Sequence, residues 1–176
     1  MKMLGLLRHA KSGWEAPGLR DFDRPLNARG HEAARALGRE MDARGLTFDR
    51  VVASPAARVA ETMAGLEEGH GRKIGASYDE RVYLATAATL LDIVHEADDA
   101  AGRLLIVGHN PGLERLALLL SGAGKLRDAL AIKYPTGALA EISLPVTRWR
   151  DVEAGAGRIE RFIRPRDLEP APGPKE

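Results

Sequence analysis

Apolar residues gather in two short runs, and each run ends on a histidine. Met3-Leu4-Gly5-Leu6-Leu7 leads into Arg8-His9, and Leu104-Leu105-Ile106-Val107-Gly108 leads into His109-Asn110-Pro111-Gly112. Continuous apolar runs of this length, bounded by turn residues, read as strands buried on both faces. Residues 2–8 are therefore predicted as the first strand, and 104–107, the most apolar, as a central one. Between them the period lengthens. Asn27 can cap a helix running to about Arg44, with Ala33, Leu37 and Met41 on one face and Gly45 as its stop. Arg50 to Ala53 is a short strand. Ser54-Pro55 then reads as a cap plus a first-turn proline, opening a helix over 55–68 with Arg58 in its first turn. A short strand over 74–78 precedes Asp79-Glu80-Arg81, and Leu90, Leu91 and Val94 mark a helix over 86–98. Asn110-Pro111 repeats the cap-plus-proline start before a helix over 111–121.

The last third changes character. Ala138 to Leu144 and Arg158 to Ile163 read as strands, with 146–152 a possible partner across the Gly155/Gly157 turn. Residues 10–26 form a loop punctuated by Gly13, Pro17, Gly18 and Pro25 and dense in charge: Lys11, Arg20, Asp21, Asp23 and Arg24. Read singly, each of these charges is a solvated loop residue. Residues 165–176 are proline-rich and read as a disordered or loosely docked tail after a single domain over 1–164.

Alternating strands and helices predict a three-layer α/β/α fold around a mostly parallel sheet. In such sheets ligands bind outside the carboxyl ends of the strands. Parallel strands would bring His9 and His109 to one edge from distant parts of the chain. Arg8, His9, Ser54, Arg58, Glu80, His109 and Asn110 are the polar candidates there. Two helix N-termini, at Pro55 and Pro111, would point at the same place. Guanidinium forks, imidazoles and helix N-termini together suit a tetrahedral dianion such as phosphate.

Composition narrows the classes. A formal net charge of +1 over 176 residues gives no case for nucleic acid. The absence of cysteine removes disulfides, thiolate metal sites and cysteine nucleophiles. The first apolar run is too short for a signal peptide and no later run approaches membrane-spanning length, so a cytoplasmic protein without membrane contact is expected. A metal pair is disfavoured: there is no His-x-His, no His-Glu-x-x-His and no carboxylate at ligand spacing. No P-loop or kinase-type glycine loop is present, which argues against nucleotide-dependent transfer. His31, His70 and His95 sit in a helix turn, a Gly-flanked loop and a helix, and read as structural. A histidine nucleophile needs a neutral ring, which neighbouring arginines would favour by like-charge repulsion. The same arginines would hold the oxygens of a phosphoryl group in transfer.

These residues carry a resemblance. Leu7-Arg8-His9-Ala10-Lys11-Ser12 resembles the Arg-His-Gly motif of the histidine phosphatase superfamily, here in an Arg-His-Ala form. The likeness extends through Asp23-Arg24-Pro25-Leu26-Asn27-Ala28-Arg29-Gly30, the stretch Ala53 to Thr62, and Val107-Gly108-His109-Asn110-Pro111, over roughly residues 1–145. Within the superfamily the short chain is similar to the SixA-like phosphohistidine phosphatases. The resemblance implies a phosphoglycerate mutase-like fold and a phosphoenzyme on His9. It implies that Arg8 and Arg58 bind the phosphoryl group and that His109 stabilises the transition state. Arg24 matches a further phosphate-contacting arginine, and Asn110 could donate its backbone N–H. Ser54 is expected to serve only as a helix cap.

The resemblance also raises the question of a proton donor. Members acting on alkyl phosphates use a carboxylic acid after the third strand, and Glu80 lines up with it; otherwise Glu80 is a surface carboxylate paired with Arg81. An alkoxide leaving group needs that acid, whereas imidazole, with a conjugate acid near 6.5, leaves with little help. A short chain leaves little room for a lid, which suits a phosphorylated side chain on a protein. The expected function is removal of a phosphoryl group from phosphohistidine in a protein through phospho-His9. The alternatives are a broad-specificity phosphomonoesterase using Glu80 and a non-catalytic phosphate-binding regulatory module. No metal or organic cofactor is called for. The expected partner is a phosphorylated protein or small phosphorylated substrate, and the oligomeric state is open.

Overall fold

The structure, a computed structural model, describes residues 1–14 and 17–168. Among these residues six strands form one sheet: β1 (Lys2–Arg8), β2 (Arg50–Ala53), β3 (Ser77–Tyr78), β4 (Arg103–Gly108), β5 (Leu139–Leu144) and β6 (Arg158–Ile163), in the order β3-β2-β4-β1-β5-β6. β1 through β4 pair in parallel, and β5 runs antiparallel to both β1 and β6. The two histidine-terminated strands, β1 and β4, are neighbours at the centre. Their register sets Arg8 opposite Gly108, and the His9 N–H continues the ladder to the Gly108 carbonyl at 3.0 Å.

Among the described residues five helices complete the layers: α1 (Ala28–Arg44), α2 (Ala57–His70), α3 (Ala87–His95), α4 (Gly112–Leu120) and α5 (Lys125–Ile132). Side chains alternate across the pleat. Leu4, Leu6, Leu104 and Ile106 pack with α3, α4 and α5, whereas Leu7, Leu105 and Val107 pack with α1 and α2. The expected three-layer α/β/α arrangement is what forms. α1 begins where expected, with the Asn27 side chain accepting from the Gly30 N–H, and ends on Gly45 in the left-handed conformation. α1 and α2 meet backbone to backbone: a Cβ on Gly69 would lie 2.0 Å from the Arg35 carbonyl oxygen. Among the described residues no helix is long and apolar enough to cross a membrane.

Three expectations fail locally, and one helix is unforeseen. Residues 146–152 are not a strand. Trp149–Asp151 form a 3-10 turn that buries the Trp149 indole against the strands, its Nε1–H donating to the Ala101 carbonyl. α5 has no counterpart in the sequence reading, because only Leu130 of its eight residues is buried. Pro165–Asp167 form a 3-10 turn held by Arg164–Asp167 bonds, with Leu168 packed on the α1/α2 core, so the start of the expected tail is built structure. Residues 169–176 lie outside the described residues. Finally, Ser54 does not cap α2, whose N-cap is Ala56.

Candidate active site

The carboxyl ends of β1, β2 and β4 open into one cavity of about 400 Å³, lined by Arg8, His9, Lys11, Ser12, Trp14, Arg24, Arg58, Leu84, His109, Asn110 and Thr136. Of the expected site residues, Arg8, His9, Arg24, Arg58, His109 and Asn110 line it, and Glu80 does not. His9 and His109 are buried with ring centroids 5.3 Å apart, and Arg58, 3 % exposed, reaches between them from the first turn of α2.

Hydrogen bonds fix what each ring can do. His9 Nδ1 lies 2.7 Å from the Ala10 carbonyl, which can only accept, so Nδ1 carries the proton. That leaves the Nε2 lone pair, toward which Arg58 Nε donates at 3.3 Å. Burial lowers the His9 pKa to about 4, with Arg58, Arg8 and Arg24 adding like-charge repulsion; the Ala10 carbonyl works the other way. Desolvation thus outweighs the arginines, the cause expected from the sequence, in keeping the ring neutral. His109 accepts from Arg58 Nη2 at Nδ1 (3.2 Å) and pairs with the Ser54 hydroxyl at Nε2 (2.7 Å). Its pKa falls to about 3, again first by burial and then by Arg58.

The arginines are held in place. Arg8 Nη1 and the Asn110 side-chain amide both donate to the Tyr134 carbonyl at 3.0 Å. Asn110 Oδ1 also accepts from the Glu114 N–H, so its side chain ties β4's end to α4. Arg24 donates to the Ser12 hydroxyl (2.7 Å) and to Asp21 (2.9 Å), and its guanidinium lies 3.4 Å from the centre of the Trp14 ring. Arg58 sends Nη1 to the Asp21 carbonyl (2.7 Å) and Nη2 to the Asp21 carboxylate (3.0 Å). Thr62 on α2 accepts from the Ala10 N–H and donates to the Arg58 carbonyl, locking the His9 turn to the helix.

Asp21 is the residue that sequence reasoning passed over as loop charge. It bridges Arg24, Arg58 and the Tyr83 hydroxyl, the last at 2.5 Å. Partial burial opposes its ionisation, yet bonds from Tyr83, Arg24 and Arg58 hold its carboxyl down at about 2. Thr62 was likewise unassigned, and Ser54, a candidate at this edge, was expected to serve only as a helix cap. The available signal was position: Ser54 follows a strand at the same edge as His9 and His109.

Glu80 is not brought into this group. It sits exposed in the 3-10 turn Glu80–Val82 and does not line the cavity. The turn directs Val82 inward against Gly108 and sends Tyr83 to Asp21, which leaves Glu80 on the outer side. Nor is it paired with Arg81, which holds Asp79 and Glu96 instead. Among the described residues no carboxylate lines the cavity. Also among the described residues, no three His, Asp or Glu side chains come together as a metal-ligand set. His31, His70 and His95 lie outside the cavity lining.

Comparison with known proteins gives a consistent picture. The profile of the histidine phosphatase superfamily (branch 1) matches residues 4–82. An uncharacterized protein of Mycobacterium tuberculosis is 32% identical over 164 residues, spanning 91% of this chain and 100% of that protein. The structure of an Agrobacterium tumefaciens protein, provisionally assigned as the phosphohistidine phosphatase SixA, superposes with a TM-score of 0.77 at 30% identity, covering 93% of this chain and 97% of that one. A counterpart from Nakamurella multipartitia gives 0.79 at 28% identity, covering 93% and 96%. The protein histidine phosphatase SixA complexed with tungstate, at 16% identity, shares the fold with a TM-score of 0.76 over 94% of this chain and 98% of that one. With two histidines and a buried arginine at the carboxyl edge of a phosphoglycerate mutase-like sheet, the chain belongs to the histidine phosphatase superfamily and is a phosphatase.

Proposed function

We propose that this protein hydrolyses phosphohistidine on a protein substrate through a phosphoenzyme intermediate on His9. The observation that carries the reading is the pairing of a neutral His9, its Nε2 lone pair directed at Arg58, with a cationic cavity free of carboxylates among the described residues. Likeness to the SixA structures supports it.

His9 Nε2 attacks phosphorus in line, and the Nε2–P bond forms as the substrate's P–N bond breaks. The leaving imidazole takes the bonding pair and is protonated from solvent, needing no strong acid because its conjugate acid lies near 6.5. Water then attacks phospho-His9, releasing inorganic phosphate and restoring the neutral ring. Arg8, Arg24 and Arg58 gather around the phosphoryl oxygens, where positioning and charge supply most of the acceleration. As the phosphoryl group arrives, Arg58 exchanges its contacts with the two rings for oxygens. The Ser54 hydroxyl can donate or accept, so it can hold His109 with Nδ1–H turned toward the phosphoryl group. Asn110 acts through its side chain, which steadies the floor it shares with Arg8.

The test compares phosphate release from a histidine-phosphorylated protein and from alkyl phosphates, without added metal. Wild type releases phosphate from the first and forms an acid-labile phosphoenzyme, His9→Ala does neither, and Glu80→Gln matches wild type. A sharp loss of alkyl-phosphatase activity in Glu80→Gln would instead favour the phosphomonoesterase reading.

A further inference from the structure

A second groove of about 500 Å³ adjoins the catalytic cavity, and Thr136 lines both. Its walls are Ile132, Lys133, Pro135, Pro165 and Arg166, with Arg164 at one side. Ile132, the last residue of α5, is 86 % exposed, the highest figure for a large apolar side chain among the described residues. An apolar side chain so exposed beside a catalytic mouth marks a contact surface. The mouth itself continues the pattern: Trp14 is 77 % and Leu84 57 % exposed, and Leu84 is the one non-glycine described residue with positive φ, at 49°. Strain of that kind persists where the surroundings impose it and gathers at functional sites.

Charge selects the occupant. Arg164 is neutralised by Asp167. Lys133 and Arg166 have no ion-pair partner among the described residues, and no carboxylate among them lines the groove. A group occupying this groove while the phosphate sits on His9 is most simply the continuation of the same molecule past Thr136. We infer that the Ile132–Lys133–Arg166 groove docks an acidic segment of the phosphoprotein substrate, with an apolar side chain against Ile132, beside its phosphohistidine. This rests on the phosphohistidine reading above and names the surface chemistry of its partner.

The experiment uses the full chain and two synthetic peptides, each with one histidine phosphorylated by potassium phosphoramidate. One is flanked by Glu and Leu, the other by Lys and Leu. Phosphoramidate itself serves as the small substrate. At low salt, wild type should turn over the acidic peptide with kcat/KM about tenfold above the basic one, mainly through KM, and salt should narrow the gap. Lys133→Glu with Arg166→Glu should abolish that preference, and Ile132→Ser should raise KM for the acidic peptide several-fold. Neither change should alter phosphoramidate turnover. Equal turnover of the two peptides by wild type, or a preference that survives in the double variant, would overturn the docking site alone. Turnover of alkyl phosphates with none of either peptide would overturn the phosphohistidine reading and the groove together. A wild-type dimer that these substitutions dissociate would assign the groove to a second copy and overturn the substrate proposal.

Discussion

His9 should make the fold sensitive to mild acid in an amount that can be worked out. Its pKa is about 4 in the folded chain and about 6.5 when unfolded. The folded value is the lower, so the unfolded chain binds more protons between these limits, and stability falls as pH drops through that window. From pH 7.5 to pH 5, with the folded ring still largely neutral, the linkage comes to about 2 kcal/mol from His9 alone. His9→Asn removes the titration. Urea unfolding can be followed by the emission of Trp149, fully buried in the native state. Between the two pH values wild type should lose about 2 kcal/mol more than His9→Asn, because other groups contribute nearly alike to both. Equal losses would mean that the folded imidazole is protonated at pH 5. The nucleophile would then not be neutral by design, and the chemistry drawn for Nε2 would fail.

Other perturbations test the supports around it. Asp21→Asn should weaken phosphate binding and kcat/KM about tenfold, since it loosens Arg58 and Arg24 while lying outside the cavity lining; steady-state kinetics with phosphate as inhibitor would check this, and unchanged inhibition would remove Asp21 from the positioning role. Ser54→Ala should lower kcat about tenfold with little change in KM, because His109 loses the hydroxyl that holds its Nε2 in either tautomer. Gly69→Ala should destabilise the fold, as the steric cost of about 1–3 kcal/mol against the Arg35 carbonyl exceeds the roughly 1 kcal/mol gained in helix propensity; a lower urea midpoint with normal activity per folded molecule is expected.

The strand ends were legible because apolar runs that stop on Arg8-His9 and Gly108-His109 leave little choice of register or edge. Arg58 was legible for the same reason, one turn into a helix that must start at that edge. Asp21 was not. Its loop has no period to read, and its contacts with Arg58 and Tyr83 span 37 and 62 residues of chain. Ser54 was misread because a serine before a proline satisfies a local capping rule, while a buried imidazole from 55 residues away claims its hydroxyl. Glu80 was placed by analogy along the chain. The turn that follows β3 decides orientation by burying Val82, which no one-dimensional pattern records. α5 escaped because a helix with a single buried residue carries almost no amphipathic signal.

The ladder bond from His9 to Gly108 has a consequence for how this site can change over time. The spacing of the two imidazoles is set by adjacent parallel strands, a repeat of roughly 4.8 Å common to all sheets, rather than by the shape of any loop. Inserting or deleting one residue in β1 or β4 would turn a histidine to the opposite layer and end the chemistry at once. Substituting, lengthening or rebuilding the segments that rim the cavity leaves that spacing untouched. The reactive pair is therefore inherited as a property of the scaffold, and substrate preference is free to drift around it.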